Sequence, residues 1–286
     1  MGFGQKISRA FRLSRQSLQL LAGSPGLLVL PFASGVVLIV IMATFLAPIL
    51  ASEELRTLLD GDGADTEIAD YVYAFAFYLV AFTAANIFNV ALVHAILTRL
   101  HGGTSSAGAG LRFAMTRLPQ ILMWSLVSAT VGVILKVIQD KAGIAGQIVG
   151  GLAGLAWSVA TYFAVPVLAA EGTGPVATVQ RSAAVLRKTW GESLATNIGV
   201  GLVMLLPTLV LVGAFALAAA TLPAELLIVA GVVIGVLFAL LLLVSATLSV
   251  TLRAALYHYA VDGNAPPPFD RADFDAAFVK KAAKTA

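Results

Sequence analysis

Long apolar stretches dominate the pattern of hydrophobic and polar positions along the chain. A helix that spans a membrane needs about 20 consecutive, mostly apolar residues. Six stretches meet this requirement, at 26–50, 71–98, 120–137, 147–169, 194–220 and 225–252. Because backbone groups in lipid must find hydrogen-bond partners within their own segment, each stretch predicts a helix. The pattern therefore predicts an all-α, polytopic membrane protein with six transmembrane helices.

Composition supports the same prediction. Hydrophobic residues make up 59% of the chain and charged residues only 12%, whereas an average soluble domain has roughly 45–50% and 25%. A soluble protein of 286 residues needs more polar surface than this chain offers. We therefore treat lipid as the solvent for most of the sequence.

Basic residues fall mainly on one side of the six predicted spans. Of the 18 Lys and Arg residues, only Arg56, Lys136 and Lys141 lie on the other side, beside an acidic loop at 53–70. Cytoplasmic loops of membrane proteins carry an excess of Lys and Arg. We therefore predict that the N- and C-termini are both cytoplasmic. The basic side suits an anionic lipid leaflet, and no nucleic-acid partner is predicted.

A cytoplasmic amphipathic segment precedes the first, third and fifth spans. In residues 1–25, apolar side chains share one helical face and basic side chains occupy the other. The second segment, 111–118, stops at Pro119, and the third opens at Pro175. Such a helix can lie flat among lipid headgroups. The predicted headgroup contacts are Lys6, Arg9, Arg12, Arg15, Arg181 and Lys188.

This order of amphipathic segment, span, loop and returning span occurs three times. We predict three helical hairpins in parallel orientation, each entered from a cytoplasmic amphipathic helix, as in folds with parallel internal repeats. The alternative is that any six-helix protein with short loops has this rhythm. The predicted domains are an amphipathic interfacial helix at 1–25, a six-helix transmembrane domain at 26–260, and a cytoplasmic tail with a short amphipathic helix at 261–286.

Two sequence runs carry a family resemblance. The first reads Ala10-Phe11-Arg12-Leu13-Ser14-Arg15-Gln16-Ser17, and the second reads Gly174-Pro175-Val176-Ala177-Thr178-Val179-Gln180-Arg181-Ser182. Both resemble an uncharacterised family of prokaryotic six-helix integral membrane proteins. More distantly, the hairpins are similar to the membrane domain fused to some glycerophosphodiester phosphodiesterases. The resemblance implies this fold and the inner membrane of a prokaryote. It does not imply phosphodiesterase activity, since these residues contain no such catalytic domain.

Residues with catalytic chemistry are few. The chain has no cysteine, which excludes disulfides and thiolate ligands. His94, His101 and His258 are far apart in sequence and have no carboxylate pair beside them, so no metal site is predicted. No nucleophile–base pair or pair of carboxylates occurs at a spacing suited to catalysis. The sequence therefore predicts no enzyme and no cofactor.

Polar side chains within the predicted spans have two interpretations. Asn86 and Asn89 share one face of the second span, and Asn197 lies early in the fifth span. Ser125 and Ser128 add hydroxyl groups in the third span. These residues could line a central pocket or path. The favoured alternative is hydrogen bonding between helices, worth about 0.6 kcal/mol per contact.

The middle parts of the six spans contain no charged residue or histidine. Ionisable groups at these positions are costly and usually mark pumps and ion-coupled carriers. We therefore expect a non-enzymatic membrane protein that acts as a scaffold or as a module that contacts lipids and partners. Anionic lipids, other membrane proteins or a second copy are the expected partners. The alternative is a channel or permease for a small neutral or apolar solute.

Overall fold

The fold is helical throughout the part of the chain that the structure describes. This computed structural model covers residues 3–51, 68–141, 143–265 and 267–270, without the side chains of residues 3–11, 51 and 189–203. No strand occurs among these residues, which confirms the all-α prediction for them. Most of the acidic loop, and the predicted tail helix, lie outside the described residues.

The helices follow one another with short connections. In chain order they are α1 (Phe3–Ala22), α2 (Val29–Ala51), α3 (Ile68–Leu100), α4 (Ala107–Thr116), α5 (Leu118–Lys141), α6 (Gly143–Ala160), α7 (Ala164–Ala170), α8 (Pro175–Thr221) and α9 (Ala224–Asp262). A 3₁₀ turn connects α1 to α2. The six predicted apolar spans are all present as helix, at Pro25–Leu50, Ile68–Leu100, Leu118–Lys141, Gly143–Ala170, Met204–Thr221 and Ala224–Asp262.

The second and third amphipathic segments meet their spans differently. Pro119 lies at the start of α5, where a residue without an N–H group is tolerated, and the chain turns at Arg117 between α4 and α5. No proline lies between Pro175 and Pro207. The third segment accordingly continues into the fifth span as the single helix α8.

The fourth span is not the continuous helix that the sequence predicts for 147–169. It consists of α6 and α7, which are separated by three residues. Pro166 cannot donate to the carbonyl of Tyr162, and its ring would collide with that carbonyl in a regular helix. The N–H of Phe163 instead donates to the hydroxyl of Ser182 at 3.0 Å. Both residues are buried, so this bond satisfies a backbone group at the break.

The chain divides into two compact units. One contains Phe32–Ala95 and Ser105–Leu186, which include most of the first four spans, and is hereafter the four-span unit. The other contains Met1–Pro31, Ile96–Thr104 and Arg187–Ala286, which include the last two spans, and is hereafter the two-span unit.

Helices of the four-span unit approach one another closely. The helix α5 packs along α6. Gly110 on α4 faces the backbone of α3, and a Cβ atom at this position would lie 2.5 Å from the carbonyl oxygen of Ala91. Real Cβ atoms essentially never come this close to an oxygen. Glycine at residue 110 therefore permits the contact between α4 and α3.

The two-span unit has a packed part and an exposed part. The helix α1 packs against α9. Leu13 on α1 and Leu248 on α9 are fully buried. Leu240, two turns earlier on α9, is 48% exposed. The C-terminal part of α9 therefore belongs to a core, whereas its N-terminal part presents apolar side chains to the surroundings.

Candidate functional site

Two of the predicted polar residues hold α3 and α5 together in the four-span unit. The side-chain amide of Asn86 donates a hydrogen bond to the hydroxyl of Ser125 at 3.2 Å. Asn86 is 8% exposed and Ser125 is fully buried. Beside them, the indole ring of Trp124 stacks on Trp157 with ring centroids 5.9 Å apart. The pair therefore lies within a packed contact between helices.

The other predicted polar residues are not gathered around this bond. Asn89 and Ser128 lie one turn away on α3 and α5, and both are half-buried. Asn197 lies on α8, in the stretch whose side chains are not described. A cavity of about 360 Å³ lies elsewhere in the four-span unit, and its lining is mainly apolar. The lining residues are Met42, Phe45, Leu46, Ile49, Asp70, Tyr73, Ala74 and Phe77.

The predicted headgroup contacts have different surroundings. Arg12, Arg15 and Lys188 are exposed. Arg181 donates from Nε to a carboxylate oxygen of Glu171 at 2.6 Å, so an acidic partner already balances its charge. Lys6 and Arg9, the predicted contacts on the first turns of α1, lie in the stretch without described side chains.

One of the three histidines takes part in a stack within the four-span unit. The ring of His94 lies parallel to that of Phe113, with centroids 3.6 Å apart. The guanidinium of Arg117 lies 5.4 Å from the same phenyl centroid. Gly172, at φ 63°, leaves room for this guanidinium, because a Cβ atom there would collide with it. His94 thus has a packing role between α3 and α4.

The other two histidines meet a carboxylate in the two-span unit. Their rings stack with centroids 4.5 Å apart. Nδ1 of His258 lies 2.5 Å from Oδ2 of Asp262, and Nε2 of His101 lies 3.4 Å from the same oxygen. One ligand atom from each of the three residues lies within 4.8 Å of the others. The group is hereafter the His–His–Asp cluster.

Local backbone structure positions this cluster. His258 and Asp262 are four residues apart on the last turn of α9, and hence share a face. Gly263 follows in the left-handed conformation at φ 71° and ends the helix. At the end of α3, Nδ1 of His101 lies 2.7 Å from the carbonyl oxygen of Leu97. Gly102, at φ 82°, then turns the chain away.

The wide separation of the three histidines along the chain gave no indication of this cluster. The useful signals were the four-residue spacing of His258 and Asp262 and the similar ends of two spans. A polar residue followed by glycine stands where each of α3 and α9 stops, at His101-Gly102 and Asp262-Gly263. Only packing brings the two ends together, and it places His101 beside the pair that His258 and Asp262 already form on one helix.

The fold fits the class of all-helical, multi-pass membrane proteins, since six of the described helices are long and apolar enough to cross a membrane. Within that class, the chain belongs to the family of unknown function DUF6159, which matches residues 68–267. No curated protein matches the chain. The match confirms the prediction that the chain belongs to a family without an assigned function.

Proposed function

We propose that this chain is a non-enzymatic membrane scaffold that uses its last two spans to contact lipid and a partner within the membrane. The supporting observation is the surface of Met204–Thr221 and of the first half of α9. No residue in the most apolar part of either span is buried. Leu206, Leu217, Ile228 and Val232 are all more than 60% exposed.

Lipid can cover this surface without cost, because acyl chains are as apolar as the side chains of leucine and valine. The same surface is available to another apolar helix, because the unit's own helices leave it uncovered. Gly231 and Gly235 are spaced four residues apart on α9, as in close contacts between transmembrane helices. A Cβ atom at Gly235 would meet open space, whereas one at Gly231 would lie 3.8 Å from the ring of Phe215 on α8. A second membrane protein or a second copy of this chain is the proposed partner.

The proposal includes an orientation. Both termini lie in the cytoplasm of a prokaryote, and the basic segments contact the anionic leaflet of the inner membrane. The support is the placement of all but three of the 18 basic residues on one side of the spans. The exposed cations Arg12, Arg15 and Lys188 are suited to headgroup contacts.

The finer architecture belongs to the same proposal. Three parallel hairpins, each entered from an amphipathic helix, would explain why α1, α4 and the start of α8 each precede a span. In this proposal, the arrangement would resemble the membrane domain fused to some glycerophosphodiester phosphodiesterases. Thiol labelling with an impermeant maleimide tests the orientation. Lys188→Cys should react only after lysis, whereas Asp62→Cys should react in intact cells.

Lipid quenching tests the scaffold. The chain has no cysteine, so a fluorophore attached to Val210→Cys or Val232→Cys is a unique probe. Both positions are more than 60% exposed, and Lys188→Cys serves as the control outside the apolar surface. In vesicles of pure lipid, acyl-chain nitroxides should quench the first two probes and spare the control. In native membranes, one of the first two should become protected and should cross-link to a neighbour. Full quenching at both positions in native membranes, without a cross-link, would contradict the scaffold.

The cavity favours a second candidate function, a channel or permease for a small neutral or apolar solute. Its lining combines apolar residues with Asp70 and Tyr73. Swelling of proteoliposomes in glycerol or urea tests this function. A flux above that of empty vesicles, lost on Ala74→Trp because the indole fills the cavity, would support the permease and count against a purely structural role.

A further inference from the structure

We propose that the His–His–Asp cluster binds a divalent transition-metal ion of the zinc type. The cluster supplies two imidazole nitrogens and one carboxylate oxygen. This ligand set suits zinc, cobalt(II) and related ions, whereas calcium and magnesium prefer ligands made of oxygen alone. The chain contains no cysteine, so thiolate ligands do not compete for the same ion.

The geometry is close to that of a zinc site. With bonds of about 2.0–2.1 Å, ligand atoms around a tetrahedral zinc ion lie about 3.4 Å apart. The shared oxygen of Asp262 lies 3.4 Å from Nε2 of His101 and 2.5 Å from Nδ1 of His258. All three atoms lie within 4.8 Å of one another. Nδ1 of His258 and Oδ2 of Asp262 are about 0.9 Å too close for two ligands of one tetrahedral ion, so binding requires the Asp262 carboxylate to turn away from His258.

The surroundings of His101 select the ring nitrogen that binds. A histidine ligand usually donates its second ring N–H to a backbone carbonyl or carboxylate, which fixes its tautomer and orientation. Nδ1 of His101 lies 2.7 Å from the carbonyl of Leu97 and is placed to donate to it. Nε2 then carries the lone pair, and this is the atom that faces Asp262.

The cluster also leaves room for a further ligand. His258 is 5% exposed, but the side chains of His101 and Asp262 are 59% and 37% exposed. Three protein ligands and one open position are typical of zinc sites that hold a water molecule or a small ligand. Because His101 directly follows α3 and the other two ligands lie on the last turn of α9, a bound ion would connect these two helix ends.

The binding test uses the full chain in detergent, purified through an affinity tag without histidine. Zn²⁺ binding is measured by equilibrium dialysis, and Co²⁺ binding by its visible d–d absorption. The chain has only three histidines, so the variants form a complete set: His101→Gln, His258→Gln and Asp262→Asn in the cluster, and His94→Gln as the matched control. We expect about one ion per wild-type chain. Loss of a residue that merely orients a ligand costs about 10–100-fold in affinity, so each cluster variant should lose at least about tenfold.

A fold control separates lost binding from misfolding. His101→Gln changes an exposed side chain, so it should keep the wild-type far-ultraviolet circular dichroism and elution volume while it loses the ion. Zn²⁺ should also raise the melting temperature of the wild type and of His94→Gln. The rise should be smaller for His101→Gln, because the stabilisation by a ligand falls as its dissociation constant rises. Wild-type protein that binds no Zn²⁺ at tens of micromolar would overturn the proposal. Equal losses in His94→Gln and the cluster variants would overturn it as well.

Discussion

The four-span unit and the two-span unit keep their helices in place by different means. In the four-span unit, specific polar contacts and close backbone approach recur: the Asn86–Ser125 bond, the Ser182 hydroxyl at the break before α7, and Gly110 against α3. In the two-span unit, packing is concentrated where α1 meets the C-terminal part of α9. The remaining apolar part of its spans is uncovered.

Burial makes the difference quantitative. In the most apolar part of the first four spans, between 11% and 33% of the residues are buried, and in the last two spans none is. Since lipid is as apolar as these side chains, hydrophobicity alone does not drive helices together within a membrane. Helices that stay together need close packing and polar contacts, and the four-span unit has both. Apolar spans without them remain open to lipid or to a partner.

The largest expected effect lies within a single helix of the two-span unit. Leu248 is fully buried and Leu240 is 48% exposed, so the same substitution tests both environments on α9. Leu248→Ala should lower the free energy of unfolding by about 2–5 kcal/mol, because it leaves a cavity. Leu240→Ala should change it by less than about 0.5 kcal/mol. Unfolding in mixed micelles measures both, and equal losses would remove the distinction between packed and exposed parts.

The close approach of α4 to α3 should be the next most sensitive feature. Gly110→Val places atoms against the Ala91 carbonyl, and overpacking of this kind costs about 1–3 kcal/mol. Gly108, two residues earlier on α4, has open space around its Cβ position. Gly108→Ala should be neutral or stabilising by up to about 1 kcal/mol, since alanine favours helix more than glycine does. A destabilising Gly108→Ala together with a tolerated Gly110→Val would contradict the described contact.

The break in the fourth span should depend on one hydroxyl group. Ser182→Ala leaves the buried N–H of Phe163 without its partner, for an expected loss of about 1–2 kcal/mol in the free energy of unfolding. The control is Ser249→Ala in the two-span unit. In the described contacts, the Ser249 hydroxyl donates only to the carbonyl of Ser245 on its own helix. Its loss should cost less than about 0.5 kcal/mol. Thermal unfolding of both variants would show a smaller shift for Ser249→Ala, and the reverse order would be inconsistent with the cap.

The smallest expected effect is the bond between Asn86 and Ser125. A double-mutant cycle with Asn86→Ala and Ser125→Ala should give a coupling of about 0.6 kcal/mol, as is usual for such bonds in membranes. The same cycle at Asn89 and Ser128, for which the described part of the chain shows no mutual hydrogen bond, should give a coupling near zero. A larger coupling between Asn89 and Ser128 than between Asn86 and Ser125 would contradict the described hydrogen bond.

Sequence reasoning was most successful where a property belongs to one segment. The six spans were predicted because length and hydrophobicity are local, and all six are helical, the fourth as two helices separated by three residues. Bounds near prolines were harder: Pro119 was recognised as a break, whereas Pro166 was not. Whether Pro166 breaks the helix depends on a neighbour, such as Ser182, whose hydroxyl can accept a hydrogen bond from the N–H group of Phe163 at the break. That neighbour is sixteen residues further along the chain, and no local pattern reveals it.

The candidate sites show the same limit. The sequence identified Asn86 and Ser125 as polar residues within spans, but not that they bond to each other. It assigned Arg181 to lipid headgroups, whereas the structure places Glu171 beside it. It contains the four-residue spacing of His258 and Asp262, but the approach of His101 to this pair comes only from packing. For Asn86, Arg181 and His101 the deciding partner comes from another segment.

The sequence by itself determined that this protein is helical and apolar over six spans. Each span is apolar enough to enter lipid, and a helix satisfies its backbone hydrogen bonds within the segment. Only the tertiary structure decided which polar groups meet. Side-chain contacts need a separation of a few ångströms between residues such as His101 and Asp262, 161 positions apart in the chain. Such a separation is set by how whole helices pack, and helix packing in lipid depends on shape and polar contacts that hydropathy does not encode.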